Sequence, residues 1–409
     1  MIGIFVHEDV FEEEMARETV FKDQSKLSPD YIPETLVHRD EEFRELSRLF
    51  KPVFENKASQ RVLVTGSVGV GKTTLALKFG QELEQAAKRR DFKLDYIHVN
   101  CRKQRTPHMV VRKLAEHYLP RLPRRGLAPQ EILEDVVKQL NTHDAYLVLA
   151  LDELDYFVSR NGPDLLYSFT RAAEETGAPG RISIIATSRN PNFLRLLDEA
   201  TKSTFMHNKI ELDKYNAQQL ADILKDRVKV AFKMDTVRED TIGLVSETAA
   251  QTGDARFALE LLWVAGRIAD QEGIQEVSPE HARGAKAHVF PGIRKEVLKD
   301  LRKHEILLLL ALSRHLKISE QAYALTGEVE DAYNVVCEEY EEEARKHTQV
   351  WEYLKRLSDL GIIETQPSGE EHRGKSQKIS IPDAPVEMLE EELEKILGKL
   401  EKSGSVEIP

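Results

Sequence analysis

Residues Gly66-Ser67-Val68-Gly69-Val70-Gly71-Lys72-Thr73 carry the plainest chemistry in this chain. They fit the spacing GxxxxGK[ST], with a β-branched run, RVLVT, before them and a helical pattern, TLALKFGQELEQAA, after. Strand, loop and helix in that order make a phosphate cradle. Gly66, Gly69 and Gly71 let backbone N–H groups turn inward at a helix N-terminus, where they meet phosphate oxygens. Lys72 adds a point charge for the β- and γ-phosphates. Thr73 offers a hydroxyl to magnesium, and Thr74 follows it in the nucleotide-contacting run. The cofactor expected here is ATP or ADP with Mg2+. Further on, YLVLALDELD places Asp152 and Glu153 at the C-terminal end of an apolar strand, the edge where ligands gather in open α/β sheets. Asp152 suits a magnesium ligand, and Glu153 suits a group that orients or deprotonates the attacking water. Asp155 is equally well read as a helix cap or a functional acid.

The elements that must position these groups follow from periodicity. RVLVTG (61–66), YIHVN (96–100), YLVLALD (146–152), ISIIATS (182–188) and KIEL (209–212) are apolar runs separated by helical patterns. They predict a parallel five-stranded sheet buried on both faces. From Tyr215 to about Pro291 the pattern is purely helical. From about Gly292, KEVLKDLRKHEILLLLALSRHL predicts a long amphipathic helix. Two further helices and the strand pair GIIET and QKISI, around PSGEEHRGKS, complete a winged-helix pattern. The expected division is an acidic leader over 1–20, an ATPase base over 21–214, a helical lid over 215–291 and an α+β winged helix over 292–409. At 409 residues several domains are expected. No apolar run nears the ~18 residues of a membrane span, and two distant cysteines exclude a disulfide framework or zinc ribbon. A cytoplasmic, nucleoid-associated protein with no membrane partner is expected.

Two polar positions narrow the class. Asn190, just past the strand ISIIATS, stands where a side chain can sense a γ-phosphate. Arg256 follows Asp254, an N-cap, in Gly253-Asp254-Ala255-Arg256; alone it reads as a surface arginine on a capped helix, and beside the other elements as a group able to reach a phosphate. With these in place the chain resembles the origin-recognition-complex and cell division control protein 6 family, in its archaeal single-chain form, over about Leu27 to Ile396. The resemblance runs through LSPDYIPETLVHRDEEF, LDELDYF, SRN, KYNAQQLADILKDRV, GDAR, TGEVEDAYNVVCEEY and YLKRLSDLGII. It implies an AAA+ ATPase with a DNA-binding winged helix. It implies adenine contacts from Tyr31, Ile32, Pro33, His38 and Arg39, with Tyr215 in the same nucleotide set. It implies first- and second-sensor roles for Asn190 and Arg256. One departure stands out: LRLLDEATKSTF lacks the family's arginine near Ala200, where the nearest cations are Lys202 and Arg195. Slow hydrolysis serving as a switch is expected.

For DNA, the sequence offers two basic groups despite a net charge of −12. In the winged helix, Arg373, Lys375 and Lys378 lie on or beside the hairpin, which suits a minor groove. The helix from about Arg345 to Leu360 buries Val350, Tyr353, Leu354 and Leu357 and leaves Lys346, Gln349 and Lys355 for the major groove. Trp351 reads as a packing residue. The second group lies in RKQRTPHMVVRKLAEHYLPRLPRR (102–125). Thr106-Pro107 starts a helix whose stripe is Val110, Val111, Leu114 and Tyr118. Arg102, Lys103, Arg105, Arg112 and Lys113 fall outside that stripe; the resemblance makes this segment a second DNA contact, and alone it reads as a solvated face. The function expected is an ATP-dependent initiator on double-stranded origin DNA that helps recruit or load a replicative helicase, with other initiator copies beside it. The alternatives are a signalling or transcription-control AAA+ ATPase with a winged helix, and a protein-remodelling motor.

Overall fold

The computed structural model describes residues 18–121, 126–171, 180–189, 191–206, 208–286, 289, 298, 300–319, 321, 323–360, 362–367, 377–381, 384 and 386–404. They form two compact units: Pro29–Ile223, and a second that joins the residues up to Ser28 with those from Leu224 onward. The leader over 1–17 lies outside the described residues.

In the first unit, strands β1 (Arg61–Thr65), β2 (Leu94–Asn100), β3 (Tyr146–Asp152), β4 (Ile182–Ser188) and β5 (Lys209–Glu211) form a parallel sheet in the order β2-β3-β4-β1-β5. Helices α1 (Asp40–Asn56), α2 (Lys72–Arg89), α3 (Pro107–Tyr118), α4 (Pro129–Thr142), α5 (Leu154–Asn161), α6 (Asp164–Arg171) and α7 (Glu199–Met206) connect and cover it. Alternate strand residues point to opposite faces. Val62, Val64, Val148, Ala150 and Ile185 meet Leu46, Phe50, Leu75 and Phe79 in one core. Leu63, Leu147, Leu149, Leu151 and Ile184 meet Val110, Leu114, Ile132 and Leu140 in the other. Two cores explain the unbroken apolar runs. The register pairs Asn100 with Asp152 and Thr65 with Ser188, so β1, β2, β3 and β4 end level at one edge.

The second unit takes in α8 (Ala217–Ala231) from Leu224 onward, with α9 (Glu239–Ala250), α10 (Ala255–Glu272) and α11 (Pro279–Lys286). Residues 19–27, which the sequence splits between leader and base, pack on these helices. Thr19 Oγ1 and Val20 N–H donate to Asp270 at 2.6 and 2.7 Å, and Phe21 stacks on Phe232 with centroids 4.7 Å apart. The same unit holds the winged helix: α12 (Lys303–Ser319), β6 (Ala324–Leu325), α13 (Thr326–Glu339), α14 (His347–Asp359), β7 (Glu364–Pro367), β8 (Gln377–Ser380) and α15 (Val386–Gly404). Two expectations are corrected here. The long helix begins at Lys303, because the Arg302 N–H is capped by Glu305 at 2.9 Å. The wing sheet has three strands rather than two, since Ala324–Leu325 adds an antiparallel edge to β8.

Gly266 on α10 is set by this packing. A Cβ there would lie 2.4 Å from Phe21 Cζ and 3.0 Å from Phe232 Cε1. Alanine normally gains ~1 kcal/mol over glycine in a helix, but overpacking costs about 1–3 kcal/mol. Gly266→Ala should therefore lower the thermal midpoint, and in a Phe21→Ala background the same change should become neutral or stabilising. Calorimetric melts of the four chains of that cycle test it.

Candidate nucleotide site and basic surfaces

The loop after β1 adopts backbone that only glycine takes without strain at its turning points: Gly66, Gly69 and Gly71 have φ of 150°, 72° and 93°. A Cβ at Gly66 would meet the Leu212 carbonyl at 2.6 Å, and one at Gly71 the Tyr215 hydroxyl at 3.0 Å. Lys72 donates to the loop's own carbonyls, Gly66 O at 2.7 Å and Ser67 O at 2.6 Å, so its ammonium already stands over the cradle. Val68 is half-buried and Val70 fully buried. The Ser67 hydroxyl is buried without a hydrogen-bond partner, a polar atom suited to a ligand in the loop.

Asp152, 2% exposed, ends β3 facing this loop. Its carboxylate accepts from Thr73 Oγ1 at 3.0–3.1 Å and from Thr187 Oγ1 at 2.5 Å, with His98 Nε2 at 3.6 Å. Burial disfavours its charge, but His98, Thr187 and Thr73 outweigh burial and hold its pKa below the ordinary aspartate value. A hydroxyl and an ionised carboxylate in contact are the hard oxygen donors that magnesium prefers. Glu153 follows in left-handed backbone, φ 58°, which costs a non-glycine residue about 1–2 kcal/mol. Its N–H donates to Thr187 Oγ1 at 3.0 Å, and its carboxylate lies between Arg189 at 2.6 Å and Arg102 Nε at 2.8 Å. The Arg102 contact is an ion pair without hydrogen-bond alignment. Asp155 accepts the Arg189 N–H at 3.0 Å, so one role is bracing the strand end. Asn190 lies outside the described residues.

Arg39 is buried among partners from the protein itself. It is 4% exposed, and its guanidinium donates to Val70 O, Asp213 O, Tyr215 Oη and Glu42 at 2.7–3.2 Å while lying 4.2 Å from the Tyr215 ring centroid. Burial raises the Tyr215 pKa despite that cation. The arginine thus ties the phosphate loop to the segment after β5, a role that a scan for exposed ligands misses. His38, also at positive φ (59°), pairs with Asp222 at 2.8 Å. Pro33 is buried, whereas Tyr31 and Ile32 are half-buried and line a cavity of about 280 Å3 with Thr73, Thr74, His98 and Asn100. Arg256 sits in the first turn of α10, behind the Asp254 cap, and is exposed. A cation there opposes the helix dipole, a placement with no folding benefit.

The basic residues separate into groups. Thr106 caps α3, and Val110, Val111 and Leu114 are fully buried, as the stripe requires. Arg102 is turned inward to Glu153 and stacks 4.8 Å from the Tyr156 ring centroid. Lys103 and Lys113 line the cavity described above; Arg105 is exposed and donates to Arg102 O, and Arg112 is half-buried. On α14, Val350, Leu354 and Leu357 are buried and Tyr353 half-buried; Lys346, Gln349 and Lys355 are exposed. Arg356 of that helix reaches the fully buried Glu305 at 3.2 Å, a tether not legible in the sequence. Lys378 lies on β8, and Arg373 and Lys375 lie outside the described residues.

Sheet, phosphate loop and the two following helical modules define an AAA+ P-loop ATPase carrying a winged helix. The AAA domain family matches residues 56–189, the Cdc6 AAA+ ATPase-type lid domain 221–287, and the CDC6 C-terminal winged helix domain 296–391. ORC1-type DNA replication protein 2 of Sulfurisphaera tokodaii is 35% identical over 385 residues, 91% of this chain and 92% of that protein. Its counterpart in Saccharolobus solfataricus is 34% identical over 88% and 90% of the two chains. Among solved structures, the Aeropyrum pernix ORC1 protein in complex with DNA is 30% identical with a TM-score of 0.68, covering 94% of this chain and all 100% of that one. Cdc6p from Pyrobaculum aerophilum is 31% identical with a TM-score of 0.59, covering 93% and 99%. The chain belongs to the archaeal ORC1/Cdc6-type family of replication proteins. No helix among the described residues is long and apolar enough to cross a membrane.

Removing a buried charged group from its partners typically costs about 3 kcal/mol or more. Arg39→Ala should lose about that much in unfolding free energy, and Arg39→Lys should recover less than half, because an ammonium lacks the planar fork. Chemical denaturation of the nucleotide-free chain measures both.

Proposed function

We propose that this protein is a nucleotide-switched replication initiator that binds origin duplex through α14, the wing and the basic segment around α3, and that helps recruit or load the replicative helicase. The contact of Thr73 with the ionised Asp152, beneath a glycine-shaped phosphate loop, is the observation that carries the nucleotide half. The DNA half is supported by the exposed cations of α14 and by the relative solved with DNA. Lys72 would leave its loop carbonyls for the β- and γ-phosphates. Thr73 and Asp152 would hold Mg2+, which supplies charge neutralisation between those phosphates when bound. Tyr31, Ile32, Pro33 and His38 would bound the base, Asn190 and Arg256 would read the γ-phosphate, and Tyr215 would close the loop from behind.

Glu153 would polarise the attacking water, but its carboxylate is already held by Arg189 at 2.6 Å and Arg102 at 2.8 Å and must leave a partner to reach one. Lys202, the nearest cation to the family's missing arginine, is engaged by Glu199 at 3.3 Å. Slow turnover suits both facts. Arg102→Ala should raise steady-state ATP turnover several-fold, whereas Glu153→Gln should abolish it in either background. An Arg102→Ala chain no faster than the native one would remove Glu153 from this role.

Lys72→Ala should weaken ATP binding by about 10- to 100-fold in calorimetry, the worth of a hydrogen bond to a charged group. For DNA, Arg373→Ala with Lys375→Ala should lower the slope of log affinity against log salt by about two, one for each phosphate no longer neutralised. Anisotropy titrations of a duplex between 50 and 200 mM salt, roughly the range over which counterion release dominates, read that slope. No duplex binding by the native chain would defeat the initiator reading.

A further inference from the structure

Trp351 stands on the outer side of α14, 45% exposed. The inner side of the helix is filled by Val350, Leu354 and Leu357, each at most 1% exposed, so the core is closed without the indole. One turn on, Lys355 rests with its ammonium 5.7 Å from the Trp351 ring centroid. The same pairing recurs at the wing, where Lys378 stands 4.3 Å over Tyr323, itself 39% exposed. Two cations offered to DNA therefore lie against exposed aromatic rings. Each such cation–π contact is worth only ~0.5–1 kcal/mol in water, too little to hold a lysine from a phosphate.

We propose that Trp351 is a base-reading contact: its indole meets a thymine methyl in the major groove while Lys355 swings to the flanking phosphate. This rests on the reading that α14 enters that groove. The occupant is duplex DNA rather than a protein, because Arg345 and Lys346 precede the first turn of the helix and Lys355 flanks the ring. Base contacts in such helices come from the exposed side near the N-terminus, and Trp351 lies in the second turn. An apolar side chain against a thymine methyl distinguishes that base without neutralising charge.

The test uses the intact chain with a duplex selected from a random pool by the native protein, and with its scrambled counterpart. Trp351→Ala should weaken the selected duplex by about tenfold, leave the scrambled duplex unchanged and leave the salt slope unchanged. Lys355→Ala should instead weaken both duplexes and lower the slope by about one. The chain has two tryptophans. In a Trp263→Phe background, fluorescence therefore reports Trp351 alone and should be quenched by the selected duplex. Native-like affinity and discrimination in Trp351→Ala, with Arg373→Ala/Lys375→Ala still impaired, would overturn this contact and leave the initiator reading standing. Unquenched fluorescence at saturating selected duplex would overturn it equally. Native affinity and native slope in every one of these variants would remove the winged helix from DNA altogether.

Discussion

A carboxylate buried to 2% exposure and still ionised is the condition around which the ATPase unit is organised. An unpaired charge in such a place is costly by several kcal/mol, so Asp152 must be surrounded by donors. Its partners come from three different elements: Thr73 from α2 and Thr187 from β4 donate hydrogen bonds, and His98 from β2 lies 3.6 Å away. The strand order β2-β3-β4 places His98 and Thr187 on the two sides of Asp152, and the phosphate loop delivers Thr73 from across the edge. The same Thr187 hydroxyl accepts the Glu153 N–H, which holds the following residue in its strained left-handed conformation. One buried charge thus fixes the ends of three strands, the start of α2 and the direction of Glu153.

The strands and the loop were legible because both obey strict local rules. A parallel strand buried on two faces must be continuously apolar, and YLVLALD and ISIIATS match β3 and β4 residue for residue. A phosphate loop must combine positive-φ glycines with a helix start, and the three glycines do so. The α3 stripe was legible for the same reason, since Thr106-Pro107 and the apolar spacing agree. What escaped reading depends on partners distant in sequence. Nothing near Arg39 announces Val70, Asp213 and Tyr215, and nothing near Glu305 announces Arg356. The packing of residues 19–27 on α10 escaped for a related reason: its signal is an absence, the missing side chain at Gly266.

Arg39 shows why a family box and a ligand contact are not interchangeable. A guanidinium with four protein partners at 4% exposure orders the loop whether or not a base lies beside it. Its neighbours Tyr31 and Ile32, half-buried on a cavity, keep surface for a ligand. Position within a motif therefore does not decide role; burial and the satisfaction of each donor do.

The charge balance resolves on the same physical scale. A net charge of −12 repels a polyanion at long range, but screening confines that field to about 8 Å at physiological ionic strength. Binding is then decided by the cations within that distance of the contact. Of the cluster after β2, Arg102 is paired with Glu153, which it shares with Arg189, while Lys103 and Lys113 face the cavity that Thr73 lines. The basic segment is thus divided between solvent and that cavity. A phosphate competing for Arg102 would weaken its hold on Glu153, and neutralising Glu153 would release Arg102 outward. That reciprocity follows from one ion pair, because any ligand that prefers one state of a pair shifts the affinity for the other.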